Sequence, residues 1–299
     1  MDPPWSMSIK DEAPLTLICQ THGSAVIVGD SSGTVWIHPG DVALTRGTEH
    51  YVFADDPATI PMIVIHPGQR CTTLSGETLK FEMAIGVRTW GNSPSGATRS
   101  LICAYEGRSE VSARLLDALP TVLVLRAGEW ETPLIDLLAA EAGNDGPGQE
   151  AYLDRMLDLL LIAVLRTWFD RDENAPTWWL AEHDPIVGPA LKLMYNYAAH
   201  SWTVANLAAA VGCSRAVFAS RFTEQIGEPP IAFLTTWRLA LAADLLRSSQ
   251  TTIAAVARQV GYSTPFALSS AFKRAYGVSP NAYRANAAYP DGALDSSAL

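Results

Sequence analysis

TVANLAAAVGCSRAVFASRFTEQIGEPPIAF, from Thr203 to Phe233, and TIAAVARQVGYSTPFALSSAFKRAYGVSPNAY, from Thr252 to Tyr283, are one pattern written twice. At an offset of 49, Val204 matches Ile253, Leu207 matches Val256, Gly212 matches Gly261 and Ser214 matches Ser263. After a one-residue insertion the offset is 50, pairing Phe218 with Leu268, Phe222 with Phe272, Gly227 with Gly277, Pro230 with Pro280 and Phe233 with Tyr283. In each copy a threonine (Thr203, Thr252) can cap a short helix with apolar positions every three or four residues. Gly212 and Gly261 end those helices, where a left-handed residue is needed and glycine carries no Cβ penalty. Ser214 and Ser263 can cap the next helix two residues on. So short a turn sets two helices at a steep angle, the helix-turn-helix shape. Phe218, Phe222, Leu268 and Phe272 form the inward stripes of the second helices. The residues between them must face outwards, as a helix that enters a major groove requires. Gly227 and Gly277 close these helices, and Pro230 and Pro280 open the next ones.

Between the copies, Pro230 to about Ser248 reads as one helix, with Ile231, Leu234, Trp237, Leu241, Leu245 and Leu246 at helical spacing. A rigid helix there can hold the two reading helices about 34 Å apart, one turn of B-DNA. The charge balance agrees. The 299-residue chain has a net charge of −10. Residues 1–183 carry 12 basic against 25 acidic side chains, whereas residues 184–289 carry 9 against 4. An acidic body therefore bears a basic module, as a phosphate-contacting domain should be.

Residues 185–284 resemble the DNA-binding domain of the AraC family of bacterial transcriptional regulators, on the motifs WTVANLAAAVGCS, RFTEQIGEPP, WRLALAADLL, IAAVARQVGY and FKRAYGVSPNAYR. The resemblance implies seven helices, the third and sixth reading adjacent major grooves. Carried over, the DNA-binding positions are Ser214, Arg215, Ala216, Ala219, Ser220 and Arg221 in the first copy. In the second they are Ser263, Thr264, Pro265, Phe266, Ser269, Ser270, Lys273 and Arg274. Arg221, Lys273 and Arg274 are the expected phosphate contacts, with Arg215 between phosphate and base. Arg238 is expected to hold the two halves together. Where many family members have arginine, this chain has Ser220 and Ser270, and Leu268 stands in place of a common phenylalanine. The loss of two guanine readers implies weaker base readout per copy, more reliance on phosphate contacts, or specificity for thymine methyl groups through Phe266 and Ala216.

Residues 14–125 read as β structure: LTLICQ, SAVIVG, TVWIH, VALTR, HYVFA, MIVIHP, SLICAYE and TVLVLR alternate with Gly, Pro, Asp and Ser. Many short strands at regular spacing predict a sandwich or barrel. WIHPGDVALTRGTEHYV, Trp36 to Val52, resembles part of a cupin signature, and PPWSMSI and WLAEHDPIVGPALKLMY resemble the cupin-bearing subgroup of AraC-type regulators. The expected class is α+β multidomain. Residues 1–130 form a cupin-like jelly-roll barrel acting as sensor, and 131–184 a helical dimerisation or linker region. Residues 185–287 form the double helix-turn-helix domain, and 288–299 a flexible tail.

A cupin metal site needs a His-x-His and a Glu from one strand pair and a further His from the other. His50 fits the last position, but only Cys19 and His22 stand near the first motif. These three are therefore effector-binding candidates, with a structural role for His50 also open. No metal, cofactor or catalytic residue is assigned; a metal-dependent cupin enzyme with an accessory helical domain is the alternative function. His38 and His66, each beside a proline, fit turns. The four cysteines Cys19, Cys71, Cys103 and Cys213 are far apart, which suits a reducing cytoplasm. They are either buried inert thiols or, at Cys71 beside Arg70, an oxidant sensor.

MDPPWSMSIKDE lacks a signal-peptide pattern, and the apolar stretch Leu153 to Phe169 is broken by Asp154, Arg155, Asp158 and Arg166, so no membrane partner is expected. Thr132 to Gly143 reads as a short helix. The helix from Glu150 to Asp170 is apolar around most of its circumference and packs either in the core or on a second copy of the chain. The expected partners are double-stranded promoter DNA, RNA polymerase if the protein activates, a small-molecule or oxidant effector, and a second subunit.

Overall fold

The computed structural model describes residues 1–47, 49–79, 82–86, 89–105, 115–130, 133–142, 146–171, 175–248 and 251–288. These form two compact units, one ending at residue 171 and the other beginning at 175. The ends of the expected helix at Thr132 and Gly143, and the tail from 289, lie outside the described residues.

The first unit holds twelve strands among its described residues: β1 Ser6–Ile9, β2 Leu15–His22, β3 Ala25–Gly29, β4 Gly33–Ile37, β5 Val42–Arg46, β6 Tyr51–Ala54, β7 Ile63–His66, β8 Arg70–Thr73, β9 Ala84–Gly86, β10 Thr89–Trp90, β11 Arg99–Tyr105 and β12 Val122–Leu125. All eight strands expected from the sequence are present. One sheet runs β4-β3-β6-β1-β7-β8, a second runs β11-β2-β5-β12, and β9 pairs with β10. Trp5, just ahead of β1, and Ile9, Ile27, Phe53 and Ile65 of the first sheet pack with Ile18 and Ala43 of the second in one apolar core. The jelly roll therefore takes the form of two facing sheets, and among the described residues no ladder joins them into a closed barrel.

The leading strand is β1, which the sequence left out. SMSI is only four residues long, yet it lies centrally, antiparallel to β6 and parallel to β7. The Pro39-Gly40-Asp41 turn is held by Asp41, whose buried carboxylate accepts from the His38 and Ala127 amides at 3.0 and 2.9 Å and from Arg126 at 2.8 Å. Burial alone would raise its pKa, but these donors outweigh that and leave it lowered. His38 meets Ser24 at 2.9 Å and His66 meets Thr72 at 2.9 Å, as turn-holding residues should.

Among the described residues this unit also carries the helices α1 Leu134–Ala142 and α2 Gln149–Phe169. On α2, Leu153, Met156, Leu160, Val164 and Phe169 are buried, whereas Tyr152, Leu159 and Ile162 are about half exposed. The helix thus has one core face and one outward apolar face. No described helix is long and apolar enough to cross a membrane.

The second unit contains α3 Thr177–Glu182, α4 Val187–Asn196, α5 Val204–Ala210, α6 Arg215–Ile226, α7 Pro230–Ser248, α8 Ile253–Gln259, α9 Pro265–Tyr276 and α10 Pro280–Ala288. Seven helices therefore follow residue 185 among the described residues. Helix α3 lies at the end of the stretch expected to be a helical dimerisation or linker region. Pro176 precedes its first turn, and Trp178 and Ala181 pack against the next helices. Two separate apolar clusters form. One gathers Leu191, Leu207, Phe218, Phe222 and Phe233; the other gathers Leu239, Leu246, Val256, Leu268 and Phe272. Helix α7 serves both, with Phe233 and Leu234 in the first and Leu239, Ala242, Ala243 and Leu246 in the second. Serving two cores, it has no single apolar stripe, and Ile231 is left exposed.

Candidate nucleic-acid interface

Each copy begins with a capped helix. Thr203 Oγ1 accepts from the Asn206 amide at 3.1 Å, and Asn206 Oδ1 accepts from the Thr203 amide at 2.7 Å, a reciprocal capping box. In the second copy Thr252 Oγ1 accepts from the Ala255 amide at 3.3 Å. Gly212 and Gly261 then turn the chain with φ of 73° and 83°, a region that strains any residue with a Cβ. The two turns differ in their surroundings. A Cβ on Gly212 would meet nothing within 4 Å, but one on Gly261 would lie 2.8 Å from Cα and O of Ala199.

The reading helices are α6 and α9. Ser214 caps α6, its Oγ accepting from the Val217 amide at 3.3 Å. Ser263 does not cap α9. Thr264 does so, accepting from the Ala267 amide at 3.1 Å, and Pro265 follows at the first helical position. The extra residue of the second copy thus falls in the turn ahead of the cap, and Ser214 corresponds to Thr264 at an offset of 50. Glycines at φ 86° (Gly227) and 75° (Gly277) end both helices. Phe218, Phe222 and Ile226 of α6, and Leu268 and Phe272 of α9, are buried. Arg215, Ala216, Ser220, Pro265, Phe266, Ser270, Lys273 and Arg274 are exposed; Ala219 and Ser269 are half-buried beside them. The sequence-assigned reading residues therefore share the solvent face of each helix.

Arg221 is an exception. Its guanidinium binds Asp184 Oδ2 through Nε at 2.8 Å and Nη2 at 2.7 Å. Asp184 Oδ1 meanwhile accepts from the Ile186 and Val187 amides, closing the start of α4. Burial by itself would raise the Asp184 pKa; the Arg221 pair and the two amides prevail and lower it. The expected phosphate contact is thus a clamp between the α3–α4 corner and the first reading helix. An Asp before Pro185 at a helix start was the available signal for it. Arg238 bonds the Ala198 and His200 carbonyls, each at 2.7 Å, tying α7 to the end of α4 as expected of a structural residue.

In the first unit, a cavity of about 1230 Å³ opens between the sheets, lined among others by Trp5, Ile18, Tyr51, Phe53, Ile102 and His22. Of the three effector candidates only His22 reaches it. Cys19 neighbours the inward Ile18 on β2, so alternation turns it to the opposite face, fully buried. Burial, with Cys103 nearby, pushes its thiol up to about 12. His50 is exposed because Tyr51 and Phe53 take the inward phase of β6. The three cannot share one ligand. Among the described residues no cluster of three or more His, Cys, Asp or Glu could hold a metal ion. Burial also raises the thiols of Cys71 and Cys103, the reverse of what a reactive thiolate needs.

Two family models match, one described as cupin over residues 1–170 and one described as helix-turn-helix domain over residues 207–286. A putative AraC-like transcription regulator of Streptomyces antibioticus is 39% identical over 57% of this chain and 58% of its own length. The HTH-type transcriptional regulator AlkR of Acinetobacter baylyi is 34% identical over 57% of this chain and 58% of its own. The HTH-type transcriptional regulator MtrA of Neisseria gonorrhoeae is 27% identical over 90% of this chain and 87% of its own. The chain thus spans about three fifths of the first curated relatives it matches. Among solved structures, the DNA-binding domain of AdpA in complex with a target DNA is 34% identical, covering 36% of this chain and 99% of that one, with a TM-score of 0.34. These relatives are named as transcription regulators, not enzymes. The chain belongs to the AraC family of regulators, in the form that joins a cupin domain to a C-terminal helix-turn-helix domain.

Proposed function

We propose that the protein is a sequence-specific transcriptional regulator that sets α6 and α9 into successive major grooves of promoter DNA. The observation that carries this is the repeated pair of capped, glycine-closed helices, each buried through one stripe and exposed through the other. Lys273 and Arg274 supply phosphate contacts, Arg215 stands between phosphate and base, and the small residues at 216, 219, 220, 269 and 270 let the helices approach base edges closely. The decisive experiment is titration of the full chain against duplexes selected from a random pool, over a range of salt. Nanomolar binding with log K falling linearly against log salt supports the proposal; equal affinity for every duplex overturns it.

The effector belongs in the cavity between the sheets, in the reading supported by its size and apolar lining. The raised thiol pKa values favour a small organic molecule over an oxidant. Its binding changes the fraction of protein competent for DNA, so it must bind one state more tightly than the other. Such a molecule raises the thermal midpoint of the protein and shifts the DNA titration. A second subunit packs on the exposed apolar face of α2, RNA polymerase is met if the protein activates, and the protein acts in the cytoplasm where the DNA is.

A further inference from the structure

We propose that the second reading helix recognises thymine through its C5 methyl group, with Phe266 as the specificity-determining residue, so that the two halves of the binding site are read by different chemistry. This rests on the DNA-binding proposal above. Phe266 is 80% exposed, more than any other large apolar side chain among the described residues. It lies second in α9, after Pro265. The first turn is where reading helices meet base edges. An exposed phenylalanine there is a poor choice for solubility and a good one for an apolar contact.

Elimination points the same way. Bidentate recognition of guanine needs Arg or Lys, and of adenine Asn or Gln. The outward positions 265, 266, 269 and 270 are Pro, Phe, Ser and Ser. The Thr264 hydroxyl accepts its cap bond from the Ala267 amide, and its remaining donor and lone pair, like those of serine, suit any base. Serine hydroxyls pair with any base and discriminate little. Lys273 and Arg274 are two turns further on, at the C-terminal end where the helix meets the backbone. Only the phenyl ring remains to distinguish one base pair from another, and the apolar feature of the major groove is the thymine methyl. The first copy differs at the matching positions. Arg215 stands where α9 has Pro265, and Ala216 where it has Phe266. The first half-site therefore has a guanine reader available, and the second does not.

The test uses the full chain and a duplex selected from a random pool, with each thymine replaced singly by deoxyuridine, which keeps every hydrogen bond and loses only the methyl group. Replacement at one or two thymines in the half-site under α9 weakens binding about four-fold each, the value of one buried methyl. The Phe266→Ala variant binds about as weakly to the unmodified duplex and shows no further loss with deoxyuridine. Its exposed position leaves folding untouched. A selected site without thymine under α9 overturns the inference, as does a deoxyuridine series with no penalty or a penalty that persists in Phe266→Ala. An affinity loss in Phe266→Ala with deoxyuridine neutral also overturns it, marking the ring as a wedge between base steps. Equal binding of all duplexes defeats the DNA-reading proposal itself, a result distinct from these.

Discussion

The two helix-turn-helix copies share a design and differ in what holds them. The first is clamped from outside: Arg221 on α6 grips Asp184, which also closes the start of α4. The second has Ala271 at the matching position and no such grip; instead its turn glycine is pressed against the Ala198–Ala199 backbone. Charge divides likewise. Helix α6 carries Arg215, the paired Arg221 and Glu224, whereas α9 carries Lys273 and Arg274 with no acidic residue. A duplicated motif keeps its buried stripe and caps, because these make the fold, while its outer surface and fastenings drift apart. The first copy is therefore fastened through the α3–α4 corner, whereas the second presents Lys273 and Arg274 with no acidic residue on its helix.

The cores of the two copies should be equivalent. Phe222→Ala and Phe272→Ala each remove a fully buried ring and should cost about 3–5 kcal/mol, measured by urea unfolding. A difference beyond that range between them would show that one copy is not an independent packing unit.

Next come the turn glycines, where the copies should part. Gly212→Ala should cost about 1–2 kcal/mol, for left-handed strain alone. Gly261→Ala adds a clash with backbone that cannot swing aside, so its loss should be clearly greater. Equal midpoints for the two variants would refute the asymmetry.

Arg221→Ala sharpens the clamp. It removes the partner of the Asp184 carboxylate and should lower the urea midpoint at neutral pH. The folded pKa of Asp184 lies below its unfolded value, so its contribution is complete above about pH 4 and is lost as the pH falls through the folded value. The deficit of the variant relative to the wild type should therefore be full at neutral pH and shrink as the pH falls through the folded value of Asp184. A deficit that stays the same in acid would mean that the Asp184 pair is not its source.

The caps give the smallest effect. Thr203→Ala and Thr252→Ala should each cost about 1 kcal/mol, the former slightly more because it also breaks the reciprocal bond with Asn206. Hydrogen exchange at the Asn206 and Ala255 amides reads this directly.

Both domains were legible in outline because their signals are periodic and local. Apolar alternation with glycine and proline punctuation located eight strands, and the duplicated cap, glycine and aromatic spacing located the reading helices. What escaped depended on contacts distant in sequence. β1 is too short to show alternation and owes its place to β6 and β7. Arg221 looked like any surface cation until Asp184, 37 residues away, met it. The insertion between the copies could be set before or after the cap, and only the Thr264 bond decided it. His50 was assigned by motif alone, without the phase of Tyr51 and Phe53.

The most direct measurement of the whole account is the affinity of the full chain for its selected duplex after Ser220→Glu and, separately, Ser270→Glu. Both positions are exposed, so the unfolding midpoint should hold. A carboxylate on either helix would meet the groove's negative field, and each should weaken binding at least about ten-fold. Unchanged affinity in either variant would mean that its helix does not face DNA, and the paired-groove arrangement would fall.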